Sequence, residues 1–492
     1  MTSAVDPPGT SGSPVEVRNL VGPEWSVGGS DDVIDVVNPA TGETITTFRS
    51  STAADVDRAV AAARAAAPAW SALTTGARAR LLNRVADEVA ARLSELRNIE
   101  IIDTGKPITP ADGDEFPLIM DSLRYFTNAA RALTAQAAAE YVPGVTTLYS
   151  REPLGVVGAI TPWNYPLWLA VWKVVPALVT GNTVVLKPAE NTPLSTTRFV
   201  EIAAAILPPG VLNLVQGYGS TVGERVANHP DVDLVTFTGS VATGRSIARA
   251  AAERPRRSVL ELGGNAPVVV LADADLADAA ATLATMSTYN AGQECMAATR
   301  VLVHESVADE LVGLLVDALD SVVIGDPFDW ATTLGPVISA QQLARIEALV
   351  DGRPDHAKVV VGGRRVDRPG FYYEPTVITG LEQDDDLVQQ EIFGPVVTVQ
   401  TFTTIAEAIA KANGVPFGLS ASVWTQSTDT GLRVIRALEF GQVWLNTHLA
   451  VGLDFPLGGF NESGYGKEGG IAGIEEFTRM KQIGLRTRAL EA

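Results

Sequence analysis

The stretch LVTFTGSVATG at residues 234–244 decides the fold. Its apolar run is typical of a buried strand, and after Gly239 the pattern changes to that of a helix over 241–253. The same alternation continues along residues 154–272, and strands that alternate with helices predict a parallel sheet covered on both faces. The predicted strands are 156–160, 183–186, 211–215, 234–237 and 268–271, and the further helices are about 192–206 and 220–228.

The flanking sequence extends this α/β pattern in both directions. Residues from about 273 to 445 repeat the order of strand and helix and predict a second α/β domain. Near the start of the chain, Thr52 and Asp55 have the spacing of a capping box and predict the beginning of a helix. The other predicted elements are strands at 32–37, 300–303, 359–361, 396–402 and 481–488 and a helix over about 76–96.

The composition limits the class of protein. The chain has 492 residues, and because one compact core stops growing at about 250–300 residues, we expect at least two domains. The formal net charge of −20 argues against a nucleic-acid partner, which needs clustered Lys and Arg. No window of about 18 residues is apolar enough to span a membrane, so no membrane association is expected. The Pro-, Gly- and Ser-rich residues 1–17 predict a flexible tail and not a signal peptide.

The cysteine and histidine content bears on redox compartment and metal binding. Cys295 is the single cysteine, so an intramolecular disulfide is impossible and a reducing cytoplasm is the expected location. The four histidines stand far apart without ligand spacing, and we therefore predict no metal site.

Cys295 follows Gly292, Gln293 and Glu294 and admits two interpretations. A lone cysteine is usually a small buried hydrophobe. The preceding glycine and polar residues suit a turn instead, and a thiolate there is a suitable nucleophile for an aldehyde, because the adduct can lose hydride.

Two polar residues lie where strands are predicted to end. Glu261 stands between leucines and before two glycines, so it is either a surface carboxylate or a partly buried general base with a raised pKa. Asn164, in TPWNYP, is either an ordinary turn residue or a donor to a developing oxyanion. Phosphate groups of a dinucleotide would meet the helix that begins after Gly239, although two glycines can also merely ease packing. Lys187 and Glu190 either grip ribose hydroxyls or form a solvated pair.

Seven motifs stand in one order along the chain: TPWNYP, LKPAE, FTGSVATG, LELGGNAP, NAGQEC, EIFGPV and PLGGFNESGYGKE. Together they make the sequence resemble the aldehyde dehydrogenase superfamily from about residue 30 to 485. The resemblance implies that Cys295 is the nucleophile, that Asn164 and the Cys295 N–H form the oxyanion hole, and that Glu261 activates water. It also implies that Lys173 and Glu468 connect to Glu261 through a proton path.

The resemblance further implies an NAD site. Glu391 and Phe393 would hold the nicotinamide ribose and ring. The other implied cofactor residues are Ile160, Thr161, Pro162, Trp163, Lys187, Glu190, Gly219, Gly223, Phe237, Gly239, Ser240, Thr243 and Leu262. Glu190 would place a carboxylate where the 2′-phosphate of NADP goes, and because like charges repel, NAD is favoured over NADP.

The substrate expected from the resemblance is a small aldehyde of the γ-aminobutyraldehyde and betaine-aldehyde branch, with 4-aminobutanal as the example. Carboxylates attract an ammonium group, and aromatic faces add a cation–π contact of roughly 0.5–2 kcal/mol. The expected contacts are Glu115, Asp121, Tyr165 and Trp172 for the amine, with Leu169, Val451 and Leu457 along the apolar part. Glu115 and Asp121 equally suit a solvated helix face. The stretch 449–454 departs from the close aminoaldehyde enzymes, and succinate semialdehyde or another aliphatic aldehyde is the alternative.

The expected architecture has three parts. A doubly wound NAD-binding domain is predicted from 1–129 and 153–263, an α/β catalytic domain from 264–470, and a small oligomerisation hairpin from 130–152 and 471–492, which implies a homodimer or homotetramer. Two other functions remain. A thioester-forming or phosphate-dependent reductase of the same fold is disfavoured by Glu261, and a non-catalytic protein is disfavoured because structure alone needs none of Cys295, Glu261 and Asn164.

Overall fold

The computed structural model describes residues 15–134 and 138–487. The start of the predicted tail, residues 1–14, and the end of the last predicted strand, at 488, lie outside the described residues. No helix of the described part is long and apolar enough to cross a membrane.

An eight-stranded sheet carries the predicted strand–helix alternation. Its five central strands run parallel, in the order Leu212–Leu214, Thr183–Lys187, Val156–Ile160, Leu234–Gly239 and Arg257–Leu262. Antiparallel strands close both edges, with Asn19–Val21 and Glu24–Ser26 on one side and Gly464–Tyr465 on the other. The strand Arg257–Leu262 is absent from the predicted strands, because Arg257, Ser258 and Glu261 interrupt its apolar residues.

A second, seven-stranded sheet confirms the second α/β region. Its order is Lys358–Val361, Thr376–Thr379, Val396–Phe402, Arg300–His304, Pro267–Val270, Ser420–Trp424 and Gln442–Leu445. All neighbours run parallel except the first pair. The strand predicted at 268–271 therefore belongs to this sheet and not to the first one. Small two-stranded sheets pair Val33–Val37 with Thr44–Arg49 and Phe417–Gly418 with Phe460–Asn461.

The helices largely follow the sequence pattern. Thr52 and Asp55 form the predicted capping box at the start of Ala53–Ser71. The single helix predicted over 76–96 is wrong, because the backbone leaves helical geometry at Arg92 and divides it in two. The helices are Ala53–Ser71, Thr75–Ala91, Leu93–Thr104, Ile108–Pro110, Phe116–Ala129, Pro166–Val179, Leu194–Ala204, Glu224–Asn228, Val241–Glu253, Leu276–Thr288, Ala308–Leu319, Ala340–Asp351, Asp386–Gln389, Ile405–Asn413, Thr428–Ala437 and Gly470–Glu476, with π-helical turns at Ala111–Glu115 and Gly219–Gly223 and 3₁₀ turns at Ala130–Ala132, Tyr289–Gly292 and Glu305–Val307.

A three-stranded antiparallel sheet stands at the place of the predicted hairpin. The central strand Val145–Pro153 pairs with Ala139–Val142 on one side and with Thr478–Arg486 on the other. The exposed side chains of Tyr141, Met480 and Leu485 leave apolar surface on this sheet. Such a surface suits contact with a second chain.

Candidate active site

A cavity of about 540 Å³ brings together residues that are far apart in sequence. Asn164, Glu261, Cys295 and Glu468 all line it. The strands Val156–Ile160, Leu234–Gly239 and Arg257–Leu262 are parallel neighbours, and the cavity wall includes residues at or just beyond their carboxyl ends. This edge is where open α/β sheets bind ligands.

The backbone before Cys295 is bent sharply. Asn290, Ala291 and Gly292 have φ angles of 48°, 56° and 69°, a region that residues with side chains seldom adopt. The Asn290 amide donates to the Asn164 carbonyl at 3.0 Å, and Gln293 Oε1 accepts from the Ile338 N–H at 2.8 Å. These contacts hold a strained turn that presents Cys295 to the cavity, as strained backbone at functional sites commonly does.

The Cys295 thiol is half-buried and surrounded by carboxyl groups. Its Sγ donates to Glu294 Oε1 at 3.2 Å. Burial raises the pKa of the Cys295 thiol well above its usual value, and Glu294, Glu391 and Glu261 add to the rise. The resting nucleophile is therefore the neutral thiol, and the locally lowered pKa that a reactive cysteine usually needs is not supplied by these residues.

Asn164 lies next to the nucleophile's turn. It is buried, and its Nδ2 donates to the Gln293 carbonyl at 3.1 Å. A side-chain amide has two N–H bonds, so the second is available to another acceptor. Asn164 also lines the cavity, which places a donor where an oxyanion on a Cys295 adduct would develop.

Glu261 is buried beside a charged pair. Burial raises the pKa of Glu261 well above its usual range, and the Glu468 carboxylate adds to this, while Lys173 opposes it. Lys173 donates to Glu468 and, at 3.2 Å, to Thr236. Glu261 Oε1 has no hydrogen-bond partner, so it is free to accept a proton from water. Lys173, Glu468 and Glu261 thus lie together, as the resemblance implies.

Gly263 and Gly264 allow the backbone to lie close to Glu391 and to Cys295. A Cβ on Gly263 would lie 2.4 Å from Glu391 Oε2, and one on Gly264 would lie 2.2 Å from the Cys295 carbonyl oxygen. The Gly264 N–H donates to Glu391 Oε1 at 2.9 Å. Burial raises the pKa of Glu391 to about 7, against the opposing effect of that N–H and of Arg345.

Several of the predicted dinucleotide residues stand at the cavity rim, around the start of the helix Val241–Glu253. Ser240 caps the helix Val241–Glu253, whose N-terminus faces the cavity rim, and Thr238 Oγ1 is buried without a partner. A helix N-terminus attracts phosphate. A Cβ on Gly239 would lie 2.5 Å from the Phe237 ring, and one on Gly244 would lie 2.4 Å from the Leu262 side chain, so neither position has room for a larger residue. Thr243 is exposed beside Ser240.

The residues predicted to bind a ribose of the cofactor also lie in contact with one another. Lys187 Nζ pairs with Glu190 Oε2 at 2.8 Å, and the Gly219 N–H donates to Glu190 Oε1 at 3.3 Å. Gly223 would place a Cβ within 3.9 Å of the Lys187 side chain. Lys187 is buried while Glu190 is partly open, so the carboxylate is the group that a ligand meets first.

The remaining predicted cofactor residues lie in or next to the wall of the same cavity. Pro162, Trp163, Leu262 and Phe393 line the cavity. The rings of Trp163 and Phe393 meet edge to face with centroids 5.3 Å apart. Ile160 and Thr161 are buried at the end of their strand, and Thr161 Oγ1 lacks a partner.

The substrate side of the cavity is aromatic and apolar. Of the predicted residues, the wall contains Tyr165, Leu169, Trp172, Val451 and Leu457. Trp168, which was not predicted, stands between Tyr165 and Trp172 with ring centroids 5.5 Å from each. Ser122 Oγ accepts both indole N–H groups, at 3.2 and 2.8 Å, and so fixes the two tryptophans.

The structure does not bring Glu115 and Asp121 to the cavity wall. Glu115 is fully buried, and both of its oxygens lie 2.7 Å from Lys106 Nζ. Asp121 is exposed outside the lining. Asp114 lines the cavity instead, because the π-helical turn Ala111–Glu115 sets the register of this segment. Sequence reasoning also missed roles for Glu294, which stands in the motif NAGQEC, and for His448.

Comparison with known proteins identifies the chain. A model of the aldehyde dehydrogenase family matches residues 25–483. The chain belongs to the aldehyde dehydrogenase family. It is 39% identical over 487 residues to phenylacetaldehyde dehydrogenase from Pseudomonas fluorescens, covering 97% of both chains. It is 38% identical to betaine aldehyde dehydrogenase from Bacillus subtilis (strain 168), covering 94% of this chain and 96% of that one.

Two solved structures share this fold. Betaine aldehyde dehydrogenase from Staphylococcus aureus in complex with NAD+ superposes with a TM-score of 0.93 at 36% identity and covers 97% of this chain and 96% of that chain. PnpE in complex with nicotinamide adenine dinucleotide has a TM-score of 0.93 at 38% identity, covering 96% and 98%. The chain is an aldehyde dehydrogenase with the fold of these enzymes, and NAD is its cofactor.

Proposed function

We propose that this aldehyde dehydrogenase forms the free carboxylic acid by way of a thioester on Cys295, and that it acts on a neutral aldehyde with an aromatic or apolar tail. The single observation that carries the proposal is one cavity lined by Cys295, Asn164 and Glu261. Nucleophile, oxyanion donor and base are the three groups that acyl chemistry followed by hydrolysis requires.

The residues of this chain divide the work. Cys295 attacks the carbonyl carbon, and the Asn164 amide donates to the oxygen that becomes negative. NAD, when bound, supplies the hydride acceptor that turns the thiohemiacetal into a thioester. Glu391 and Phe393 orient its nicotinamide end, and Ser240, Lys187 and Glu190 hold the rest. Glu261 then takes a proton from the water that attacks the thioester, and because burial raises the pKa of Glu261, its carboxylate is a stronger base than an exposed one.

The hydrolytic outcome rests on Glu261. The family resemblance implies that members that transfer the acyl group to coenzyme A lack a base at this position. Here the carboxyl group is present, buried and open at Oε1 to a proton. Lys173 and Glu468 beneath it supply a path for that proton away from the cavity.

The lining supports a neutral tail. Aromatic and aliphatic side chains dominate the part of the wall beyond Cys295, and the predicted carboxylates Glu115 and Asp121 are elsewhere. A second candidate is the ω-aminoaldehyde class, such as 4-aminobutanal. Asp114 at the wall and the faces of Trp168 and Trp172 favour it, since a carboxylate attracts ammonium and aromatic faces bind cations.

An anionic aldehyde such as succinate semialdehyde fits less well. The lining contains five carboxyl groups, and its one guanidinium, Arg345, donates to the carbonyls of Glu391 and Ile392 on the cofactor side. The carboxylate of such a substrate would enter a cavity rich in carboxyl groups, and the lining residues described offer no cation on the substrate side to pair with it.

The test is the rate of NADH formation with phenylacetaldehyde, hexanal, 4-aminobutanal, betaine aldehyde and succinate semialdehyde. We expect phenylacetaldehyde or hexanal to exceed 4-aminobutanal in kcat/KM by tenfold or more, about 1.4 kcal/mol of discrimination. If 4-aminobutanal has the highest kcat/KM, and Asp114→Asn lowers kcat/KM for 4-aminobutanal but not for phenylacetaldehyde or hexanal, the second candidate is correct. If succinate semialdehyde wins, both substrate proposals fail.

The larger organisation remains a proposal too. We propose an NAD-binding domain at 1–129 and 153–263, a catalytic domain at 264–470 and an oligomerisation element at 130–152 and 471–492. The exposed apolar side chains of Tyr141, Met480 and Leu485 on the three-stranded sheet support a homodimer or homotetramer. A cytoplasmic location likewise remains an expectation that rests on the single cysteine.

A further inference from the structure

A buried carboxylate touches the sulfur of the nucleophile. Glu294 is 6% exposed, and its Oε1 accepts the Cys295 thiol at 3.2 Å and the Met296 N–H at 3.1 Å. The backbone contact fixes the oxygen in place, and the strained turn before it sets its direction. Geometry of this kind is what a proton acceptor requires.

The burial of the Glu294 carboxyl group away from any cation needs a physical reason. No ion pair involves Glu294 within residues 15–134 and 138–487. A buried carboxylate without a cation costs free energy, and groups held under such strain cluster at functional sites. The titratable groups that interact with Glu294 are Cys295, Tyr165, Tyr289 and Glu391, none of which is a cation.

From this contact we infer that Glu294 is the general base that takes the proton of Cys295 as its sulfur attacks the aldehyde. The inference rests on the proposed function and adds a catalytic group to it. Glu261 acts on the same thiol only through its charge, whereas the hydrogen bond to the sulfur belongs to Glu294.

The proton balance closes over the reaction. As the S–C bond forms, the S–H bond breaks and its proton moves to Glu294 Oε1. The carbonyl π electrons pass to the carbonyl oxygen, to which the Asn164 amide donates a hydrogen bond. When water later cleaves the thioester, Glu261 takes the proton of the water and the C–S bond breaks. The departing sulfur then recovers its proton from Glu294, so the thiol and both carboxyl groups can return to their starting states once Glu261 releases its own proton.

Because the Cys295 thiol is neutral, a general base at Glu294 can be told apart from a carboxylate that only exerts a charge effect on the thiol. Glu294 raises the pKa of Cys295, so a spectator carboxylate would slow the nucleophile, and its removal would speed both alkylation and turnover. A base has the opposite effect on turnover. Because Cys295 is the chain's single cysteine, incorporation of iodoacetamide reports on this thiol alone.

The experiment compares wild type with Glu294→Gln, whose amide oxygen still accepts from the Met296 N–H. Glu439→Gln, an exposed carboxylate outside the cavity, is the matched control. We expect the first equivalent of NADH at pH 7.5 to form at least tenfold more slowly in E294Q and at the wild-type rate in E439Q. Alkylation of E294Q should persist, with its pH midpoint at or below that of wild type. Glu294→Asp should regain part of the lost rate.

Several results overturn the role of Glu294. They are a first-turnover loss of less than tenfold in E294Q, an equal loss in E439Q, no gain in E294D over E294Q, or loss of alkylation in E294Q, which would mean that the side chain only holds the turn. If wild type itself forms no NADH with any aldehyde, the proposed function fails and this role fails with it. If wild type is active and E294Q keeps its rate, only the role of Glu294 fails.

Discussion

His448 donates a hydrogen bond from Nε2 to the carbonyl of Met296, the residue after the nucleophile, at 2.7 Å. Its Nδ1 accepts from Ser422 at 2.9 Å, so the ring connects the strand Ser420–Trp424 to the Cys295 turn. Burial lowers the pKa of His448 to about 4, which keeps the ring neutral with its proton on Nε2. His448 is thus a positioning residue for the segment that carries the thiol.

Replacing His448 should reduce stability in a pH-dependent way. In His448→Ala the Met296 carbonyl and the Ser422 hydroxyl lose their partners, at a cost of about 1–3 kcal/mol for each buried group. Urea unfolding measures this loss, and His356→Ala, at an exposed ion pair, should change stability by less than about 0.5 kcal/mol.

The sign of the pH effect follows from the lowered pKa of His448. Between the unfolded value of 6.5 and about 4, only the unfolded chain binds the proton, so wild-type stability falls as pH falls across that window. The contribution is about 1.4 kcal/mol per pH unit for this group. An H448A variant that loses stability as steeply as wild type over this window would contradict the assignment.

NAD affinity should depend on Glu391. Because the pKa of Glu391 is raised to about 7, the carboxylate that would accept ribose hydroxyls is mostly protonated at pH 6 and mostly ionised at pH 8. We expect the Kd for NAD to rise by up to about tenfold from pH 8 to pH 6, in proportion to the ionised fraction. Tryptophan fluorescence quenching measures it, and a Glu391→Gln variant that retains the full pH dependence would refute the explanation.

The choice between NAD and NADP should follow Glu190. In Glu190→Gln the negative charge is gone, and Lys187 loses its 2.8 Å partner and can meet a 2′-phosphate. The ratio of kcat/KM for NADP over NAD should rise by about tenfold, the effect of removing roughly 1.4 kcal/mol of repulsion. An unchanged ratio would mean that other residues exclude NADP. Thr243→Ala, at an exposed neighbour of Ser240, tests whether the change is specific to the carboxylate.

Glu115 should matter for the Lys106 cluster and not for substrate choice. Lys106 lies between Glu100 and Glu115, and burial raises the pKa of Glu115 well above its usual range, so one ionised carboxylate suffices for the cation. Glu115→Gln should therefore cost less than about 1 kcal/mol, whereas Lys106→Met should cost about 3–5 kcal/mol by leaving two buried carboxyl groups without a cation. Urea unfolding compares them. A shift in the preference for 4-aminobutanal over phenylacetaldehyde in E115Q would restore Glu115 to the substrate site.

Sequence reasoning reached the reacting groups but not their surroundings. Cys295, Glu261 and Asn164 stand in motifs at strand ends or turns, and local sequence places such positions well. The wrong expectation for Glu115 depends on the π-helical turn Ala111–Glu115, where one residue of register decides whether a side chain faces the cavity or Lys106. Patterns that assume regular helical spacing do not contain that shift.

The contacts of Glu294 and His448 could not be predicted for a different reason. Glu294 meets the thiol because three successive residues adopt positive φ, and only one of them is a glycine. His448 reaches Met296 across 152 positions of chain, through the pairing of the strands Pro267–Val270 and Ser420–Trp424. Both contacts depend on tertiary packing, which a short stretch of sequence cannot predict.

The most direct test of the central claim is the amount and fate of the first NADH formed per active site. Wild type with excess NAD and phenylacetaldehyde or 4-aminobutanal should produce NADH continuously together with the free acid. Glu261→Gln should stop after about one equivalent with the acyl group bound to Cys295, since loss of a general base slows a step by about 10²–10⁴-fold. Cys295→Ala should form none. Continuous turnover by the Cys295→Ala variant, or the absence of NADH from wild type with every aldehyde tried, would contradict thioester chemistry at this site.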